Sequence, residues 1–308
     1  MIVTLTMNPT IDASTTTSHV EPDRKLRCAE PVREPGGGGL NVSRAIKNLG
    51  GESVAIWTSG GLTGKLLDEL LRKEGIDHRA IHVPGLTREN LIVYEKSTGR
   101  QYRFGMPGPH MIADEACRVC EMLRSFDMTY LVASGSLPPG LGDGWYGRIA
   151  KCAAAQNARF ILDTHGSALQ EALKVGAWLI KPNHRELCEL TGCDIENEQQ
   201  LEVSARRLIQ DGSVEHVLVS LGAAGAILVS AEGSAFLRSP TVPIRSVVGA
   251  GDSMLAGLTW SLYQGHDIQE AARYAVAAGA AAVMTPGTGL CRREDVDRLY
   301  EGSKLVAT

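Results

Sequence analysis

Aromatic side chains are scarce, with Phe, Trp and Tyr together making up 5% of the 308 residues. Other shortages exclude whole classes of function. No apolar run approaches the ~20 residues that a membrane-spanning helix needs. The start, Met1-Ile2-Val3-Thr4-Leu5, lacks the basic region and cleavage site of a signal peptide. A soluble, cytoplasmic protein is expected. Positive charge is not in excess: 31 Lys and Arg against 35 Asp and Glu leave a net charge of −4. Nothing global therefore calls for nucleic acid or an anionic membrane as partner. The seven cysteines are an odd set scattered over a long chain, unlike the dense, even framework of a disulfide-stapled fold. Cys117 and Cys120 have C-x-x-C spacing, but no second pair stands at zinc-site spacing and no H-E-x-x-H occurs. A core role for most of the cysteines is expected.

Familiar nucleotide motifs are missing too. Gly64-Lys65 is followed by Leu66, so there is no Walker A loop. Gly249-Ala250-Gly251 opens a G-x-G, yet Met254 holds the third glycine's place, and the dinucleotide fingerprint fails. Neither Ser136 nor Ser253 lies in a G-x-S-x-G.

What is present is a rhythm. Strand-like runs at Ile2–Met7, Ser53–Thr58, Tyr130–Ala133, Phe160–Leu162, Trp178–Ile180 and Val217–Ser220 alternate with helical patterns. Those patterns cover Val42–Leu49, Thr63–Glu74, Trp145–Ala155, Ser167–Val175 and Leu201–Gln210. Such alternation predicts an α/β fold with a parallel sheet and helices on both faces. Two segments break it, Asp12–Glu34 and Arg88–Met106, where polar and apolar residues alternate. A hairpin over Val93–Phe104, turned at Ser97–Gly99, predicts a second small sheet that caps the first. From Ala250 to Met284 the chain is Ala- and Gly-rich and helical, with Ala275–Ala282 small enough for close packing.

Four places carry chemistry. Val248-Gly249-Ala250-Gly251-Asp252-Ser253 is a glycine turn running into a helix at Met254–Gln264. Its N–H groups suit an anion such as a transferring phosphoryl group. Asp252 suits a proton acceptor for a hydroxyl, but a helix-capping Asp satisfies the same pattern. Asn183 and Glu186, three apart after Lys181-Pro182, point the same way and suit water-bound Mg²⁺. A capping box has the same spacing. Pro35-Gly36-Gly37-Gly38-Gly39-Leu40-Asn41 lets a ligand approach the backbone, with Asn41 able to donate and accept. Asp12 and Ser136 follow two strands, and Lys25, Arg27, Arg88 and Arg103 all fall in the capping segments, where convergence would clamp a phosphate.

In this order and at these intervals, Gly36–Asn41, Asn183-x-x-Glu186 and Val248–Ser253 resemble the signatures of the ribokinase-like carbohydrate kinase family, from Met1 to Tyr300. Pro35–Val42, Lys25-Leu26-Arg27-Cys28, Gln101–Gly108 and Ser134–Gly140 resemble its sugar-phosphate branch, the minor bacterial 6-phosphofructokinases above all. The resemblance implies one kinase domain over 1–308. That domain would be a three-layer sandwich with a mostly parallel central sheet and a small β-sheet lid from about 12–35 and 88–106. It implies ATP-dependent phosphorylation of fructose 6-phosphate at C1. The alternatives are 1-phosphofructokinase or tagatose-6-phosphate kinase activity, and a non-catalytic sugar-phosphate sensor. Asp252 would be the general base, with the N–H groups of Gly249, Ala250, Gly251 and Asp252 taking the phosphoryl charge. Asp12, Gly37, Gly38, Asn41 and Ser136 would contact the sugar, and Lys25, Arg27, Arg88 and Arg103 its phosphate. Lys181, Asn183, Glu186, Ser220, Gly222 and Gly225 would serve ATP, with Asn183 and Glu186 holding Mg²⁺ through water. Ser246, Val248, Ala282, Thr285 and Gly287 resemble the loop around K⁺, although Thr285 and Gly289 stand where that branch carries asparagine and arginine. A homodimer through the lid is implied.

Overall fold

The computed structural model of the chain describes residues 1–304. In chain order it begins with β1 (Ile2–Thr6), β2 (Thr10–Thr17), β3 (Val32–Gly36), α1 (Gly38–Asn48), β4 (Val54–Ser59) and α2 (Gly61–Lys73). Next come β5 (His78–His82), β6 (Arg88–Glu95), β7 (Gln101–Phe104), α3 (Ala113–Leu123), β8 (Tyr130–Ser134) and α4 (Trp145–Ala154). They are followed by β9 (Arg159–Asp163), α5 (Gly166–Leu173), β10 (Ala177–Ile180), α6 (His184–Thr191), α7 (Glu198–Gln210) and β11 (Val214–Ser220). A 3₁₀ turn at Gly222–Ala224 leads to β12 (Gly225–Ser230), β13 (Gly233–Arg238), α8 (Ala250–Tyr263), α9 (Ile268–Val283) and α10 (Arg293–Lys304).

Nine strands form one sheet in the order β13-β12-β11-β10-β9-β8-β1-β4-β5. Pairing is parallel from β5 to β11 and antiparallel for β12 and β13. Period-two alternation sorts the strands between the cores on the two faces of the sheet. In β1, Val3 and Leu5 face the cluster made with α3 to α7, while Ile2 faces the cluster made with α1, α8, α9 and α10. Both faces are thus covered, as a parallel sheet requires. The Ala-rich stretch packs as its composition demands. A Cβ on Gly257 of α8 would lie 2.7 Å from the Ala278 Cβ of α9.

Three strands fall outside the expected set. β5 is a half-exposed edge with polar residues at both ends, so it shows no apolar run. β12 and β13 form a hairpin with no helix between them, which strand–helix alternation cannot anticipate. Helix α1 starts at Gly38, four residues before the first apolar position of its pattern, and α8 starts at Ala250 rather than Met254. Periodicity finds the apolar face of a helix and misses a glycine-built first turn.

The other four strands form the small sheet, ordered β3-β2-β6-β7. β6 and β7 are the expected hairpin, with Tyr94 opposite Gln101. β2 and β6 pair in parallel, Asp12 opposite Asn90. Glu95 ties the hairpin down. It accepts from Thr98, from the Val20 N–H, from Tyr102 and from Ser97, and these bonds hold its carboxyl down at about 2.

Candidate active site

The chain leaves β1 toward β4 and β5 and returns to β8 on the other side of β1, so strand order reverses there. Ligands of open α/β sheets bind beyond the carboxyl ends of the strands at such a reversal. Ser134 ends β8, Asp163 ends β9, Lys181 follows β10 and Ser220 ends β11.

Asp252 sits in the first turn of α8. Gly249 is the N-cap with φ 77, the left-handed region where a Cβ is costly. The helix start has Gly249 at its cap and no side-chain capping bond, and the Asp252 carboxylate Oδ2 accepts instead from Asn41 Nδ2 at 2.9 Å. Burial lifts the Asp252 carboxyl to about 6; Asn41's bond and the Lys181 charge oppose the rise, while Asp163 and Asp12 add to it. A Cβ on Gly251 would lie 3.4 Å from Lys181 Nζ, so the ammonium rests against the helix start. Lys181 is buried and its Nζ lies 3.3 Å from Asp163 Oδ1. Burial works against its charge, but Asp163 and Asp252 outweigh that and push its pKa up. Free N–H groups and an ammonium therefore meet at one point beside a carboxylate that is ionised at neutral pH.

The four-glycine turn is built from the inside as well. A Cβ would lie 2.4 Å from Asp12 Oδ2 at Gly36, 2.7 Å from Thr6 Cγ2 at Gly37, 2.1 Å from Ser134 Oγ at Gly38 and 2.4 Å from the Leu5 carbonyl oxygen at Gly39. These glycines let α1 seat on β1 and β8, which brings Asn41 to Asp252. On the lid, Asp12 Oδ1 accepts from Asn90 Nδ2 at 3.0 Å. Arg88 donates to the Asn8 and Met106 carbonyls at 2.9 and 3.1 Å, and its Nε is buried without a partner. Asn8 Nδ2 donates to Ser136 Oγ at 3.3 Å. Asp12, Arg88, Ser136, Asn41 and Asp252 are thus brought to one side of the α8 start. Lys25 and Arg27 are exposed on the segment between β2 and β3, and Arg103 is exposed on β7, where it donates to Gln101 on its own strand.

On the other side lies a cleft of about 400 Å³, within the range of ligand pockets. Ser220, Gly222 and Gly225 line it with Val247, Met254 and Val283, and Ala250 and Gly251 of α8 line it too. A larger cleft of about 830 Å³ lies by the strand starts, around Met1, Glu52 and Trp260, and holds none of these groups.

Asn183 and Glu186 form a complete capping box: Asn183 Oδ1 accepts from the Glu186 N–H at 2.9 Å, and Glu186 Oε2 accepts from the Asn183 N–H at 2.8 Å. Among the described residues no group of three or more His, Cys, Asp or Glu could hold a metal ion. Mg²⁺ needs no such cluster, since it is held by one or two carboxylates, waters and substrate phosphates. The loop before α8 and the loop after α9 meet. Ser246 Oγ donates to the Gly287 carbonyl at 2.5 Å, Val248 N–H donates to Ser246 Oγ at 3.2 Å, and Thr285 N–H donates to the Ala282 carbonyl. A Cβ on Gly289 would lie 2.2 Å from Thr285 Cγ2, so these two departures from the family pattern fit each other.

Sequence reasoning missed Asp163, Asn90, Asn8 and Arg44. For Asp163 the one signal is a carboxylate at the carboxyl end of a strand. Arg44, which donates to Asn41 Oδ1 at 3.1 Å, has none, since it reads as an exposed helix position.

Residues 2–295 match the model of the pfkB family carbohydrate kinases, and the chain belongs to that family. It is 41% identical over 302 residues to the ATP-dependent 6-phosphofructokinase isozyme 2 of Mycobacterium tuberculosis, covering 97% of this chain and 89% of that protein. To the isozyme 2 of Escherichia coli it is 40% identical over 301 residues, covering 97% of each. The E. coli phosphofructokinase-2 structure in complex with potassium superposes with a TM-score of 0.95 at 39% identity, over 98% of this chain and 99% of that one.

Proposed function

We propose that this chain is one kinase domain that transfers the γ-phosphoryl group of ATP to the C1 hydroxyl of fructose 6-phosphate. The observation that carries the mechanism is the Asp252 carboxylate, held by Asn41 at the start of α8 between the lid residues and the 400 Å³ cleft. Asp252 takes the hydroxyl proton as the oxygen attacks, and the N–H groups of Gly249 to Asp252, with Lys181, receive the phosphoryl charge. Phosphoryl transfer needs little covalent help, so placing the two substrates on either side of Asp252 is most of the work. Asp12, Gly37, Gly38, Asn41 and Ser136 orient the sugar, and Ser220, Gly222 and Gly225 receive the nucleotide. Mg²⁺, when bound through water near Asn183 and Glu186, neutralises phosphate charge. Ser246, Val248, Ala282, Thr285 and Gly287, at and beside the loops that precede α8 and follow α9, are the residues assigned to K⁺, the ion in complex with the E. coli relative.

Substrate choice follows the relatives, since an E. coli phosphofructokinase-2 structure holds fructose 6-phosphate. A 1-phosphofructokinase of Bacillus subtilis, 32% identical over 94% of each chain, keeps fructose 1-phosphate as the second reading. With MgATP, kcat/KM is expected to be highest for fructose 6-phosphate; a preference for fructose 1-phosphate or tagatose 6-phosphate moves the substrate, and turnover of none removes the kinase. Arg88, with its unpartnered Nε, is assigned to the sugar phosphate. Arg88→Ala should raise KM for the sugar phosphate at least about tenfold and leave KM for ATP nearly unchanged; equal effects would remove it from that site.

Because Asp252 works only when ionised, kcat/KM should rise with pH through an acid limb near 6. A profile flat from pH 5 to 8 would contradict the assignment.

Exposed apolar residues stand on both faces of the lid sheet: Leu91 and Phe104, which are cross-strand partners, on one, and Val32 and Tyr94 on the other. A second copy of this chain is proposed to cover them; the E. coli relative is known in a tetrameric inhibited form. Sedimentation at the mass of one chain would remove that interface. Among the described residues no helix is long and apolar enough to cross a membrane, in keeping with a cytoplasmic enzyme.

A further inference from the structure

We propose that Arg44 is a positioning residue for phosphoryl transfer: clamped by Glu74, it turns the Asn41 carboxamide so that the NH₂ group, and not the oxygen, meets the Asp252 carboxylate. The inference rests on the reading of Asp252 as the base. The two ends of a carboxamide are alike in shape and opposite in hydrogen bonding, so its neighbours decide which way it faces. Asn41 and Arg44 stand three apart on α1 and share a face. A guanidinium has five donors and no acceptor. Its Nη1 donates to Asn41 Oδ1 at 3.1 Å and to the Pro35 carbonyl at 2.8 Å. With the oxygen held there, Nδ2 is left to donate to Asp252 Oδ2 at 2.9 Å.

Arg44 is only 7% exposed, and a buried guanidinium needs a partner. Glu74, at the end of α2, accepts from Nε at 2.6 Å and from Nη2 at 2.9 Å, the two-point grip that fixes an arginine's plane. Glu34 of β3 stands 3.7 Å from Nη2 and accepts from the Thr288 hydroxyl. Arg44 therefore joins the end of α2, the lid strand β3 and the base. The groups that act on Asp252 are Asn41 from α1, Asp163 from β9, Lys181 after β10 and Asp12 from β2. Of these, only Asn41 is bonded to Arg44.

Without Arg44 the carboxamide turns freely. When its oxygen faces the carboxylate, two acceptors repel and the ionised base is disfavoured. The test compares the parent with Arg44→Met/Glu74→Met, which removes both charges so that no buried carboxylate is left alone. The acid limb of kcat/KM should move up by about one pH unit, with KM for ATP unchanged. In substrate-free protein, the ¹³C carboxyl resonance of Asp252, assigned by its loss in Asp252→Asn, should titrate upward by the same amount. An arginine that only supports the fold would lower the melting temperature and leave both titrations in place, and that result overturns the proposal. If the double variant does not fold, Arg44→Lys serves: lysine keeps the charge but cannot grip Glu74 and Asn41 together, so a smaller upward move is expected and an unmoved titration again overturns it. If the parent phosphorylates no sugar phosphate, the functional reading fails, while the carboxyl titration still decides the positioning.

Discussion

Asp252→Asn should lower kcat by roughly 10²–10⁴-fold, the usual contribution of a positioned base, and leave the fold intact. Asparagine has the shape of aspartate, and its oxygen can still accept from Asn41 Nδ2, but it cannot take a proton. Its effect on stability has a definite sign. The Asp252 carboxyl is pushed up to about 6 from an ordinary 3.8. The fold therefore favours the protonated form, and the ionised form costs stability as pH rises above the unfolded value. At neutral pH a neutral asparagine relieves that cost, so the melting temperature should stay level or rise. Loss of rate with gain of stability is the mark of a charge kept for chemistry. The check is kcat, both KM values and a melting curve on one preparation; turnover at the parent's rate would remove Asp252 from the proton transfer.

Gly39→Ala should damage stability and rate together. The added Cβ would lie 2.4 Å from the Leu5 carbonyl oxygen and 2.7 Å from the Leu5 carbonyl carbon, backbone atoms in the middle of the main sheet. The helix start has no easy retreat, because the Leu40 N–H donates to Thr6 Oγ1 at 2.8 Å and Gly38 sits against Ser134. Overpacking of this kind costs about 1–3 kcal/mol, or several degrees of melting temperature in a chain of this size. Asn41, two residues on, would be carried away from Asp252, so kcat should fall at least about tenfold, because small misplacements at a reacting centre are costly. Gly142→Ala is the control, with nothing within 4 Å of its Cβ, and should change neither quantity. Gly39→Ala that melts and turns over like the parent would mean that α1 is free to shift on β1, and that the glycines serve only ligand approach.

Several residues show where a sequence is read well and where it is not. The order of the central strands and helices was legible because apolar period is a local property, and the lid hairpin was legible from its alternation and turn; β5, β12 and β13 were not. Asp252, Lys181 and the glycine turns could be located because each lies beside its own strand or helix start. Their partners could not. Arg44 contacts Asn41 nearby in the chain, but Glu74 reaches it from the end of another helix. Asp163 meets Lys181 only because β9 and β10 are neighbours. At Asn183 and Glu186 one spacing served two roles, and the structure shows the capping box formed.

By itself, the sequence determined the order of the central strands and helices, the turns that need glycine and the chemical types available: a carboxylate, an ammonium and bare N–H groups. Those depend on neighbours within a few residues. Tertiary structure alone decided that Asp252 bonds Asn41 across 211 positions of chain, that burial raises its pKa, and that the charge of Arg88 acts on Asp12. Each of these depends on distances between side chains on different elements, which are set by how the sheet orders its strands and seats its helices.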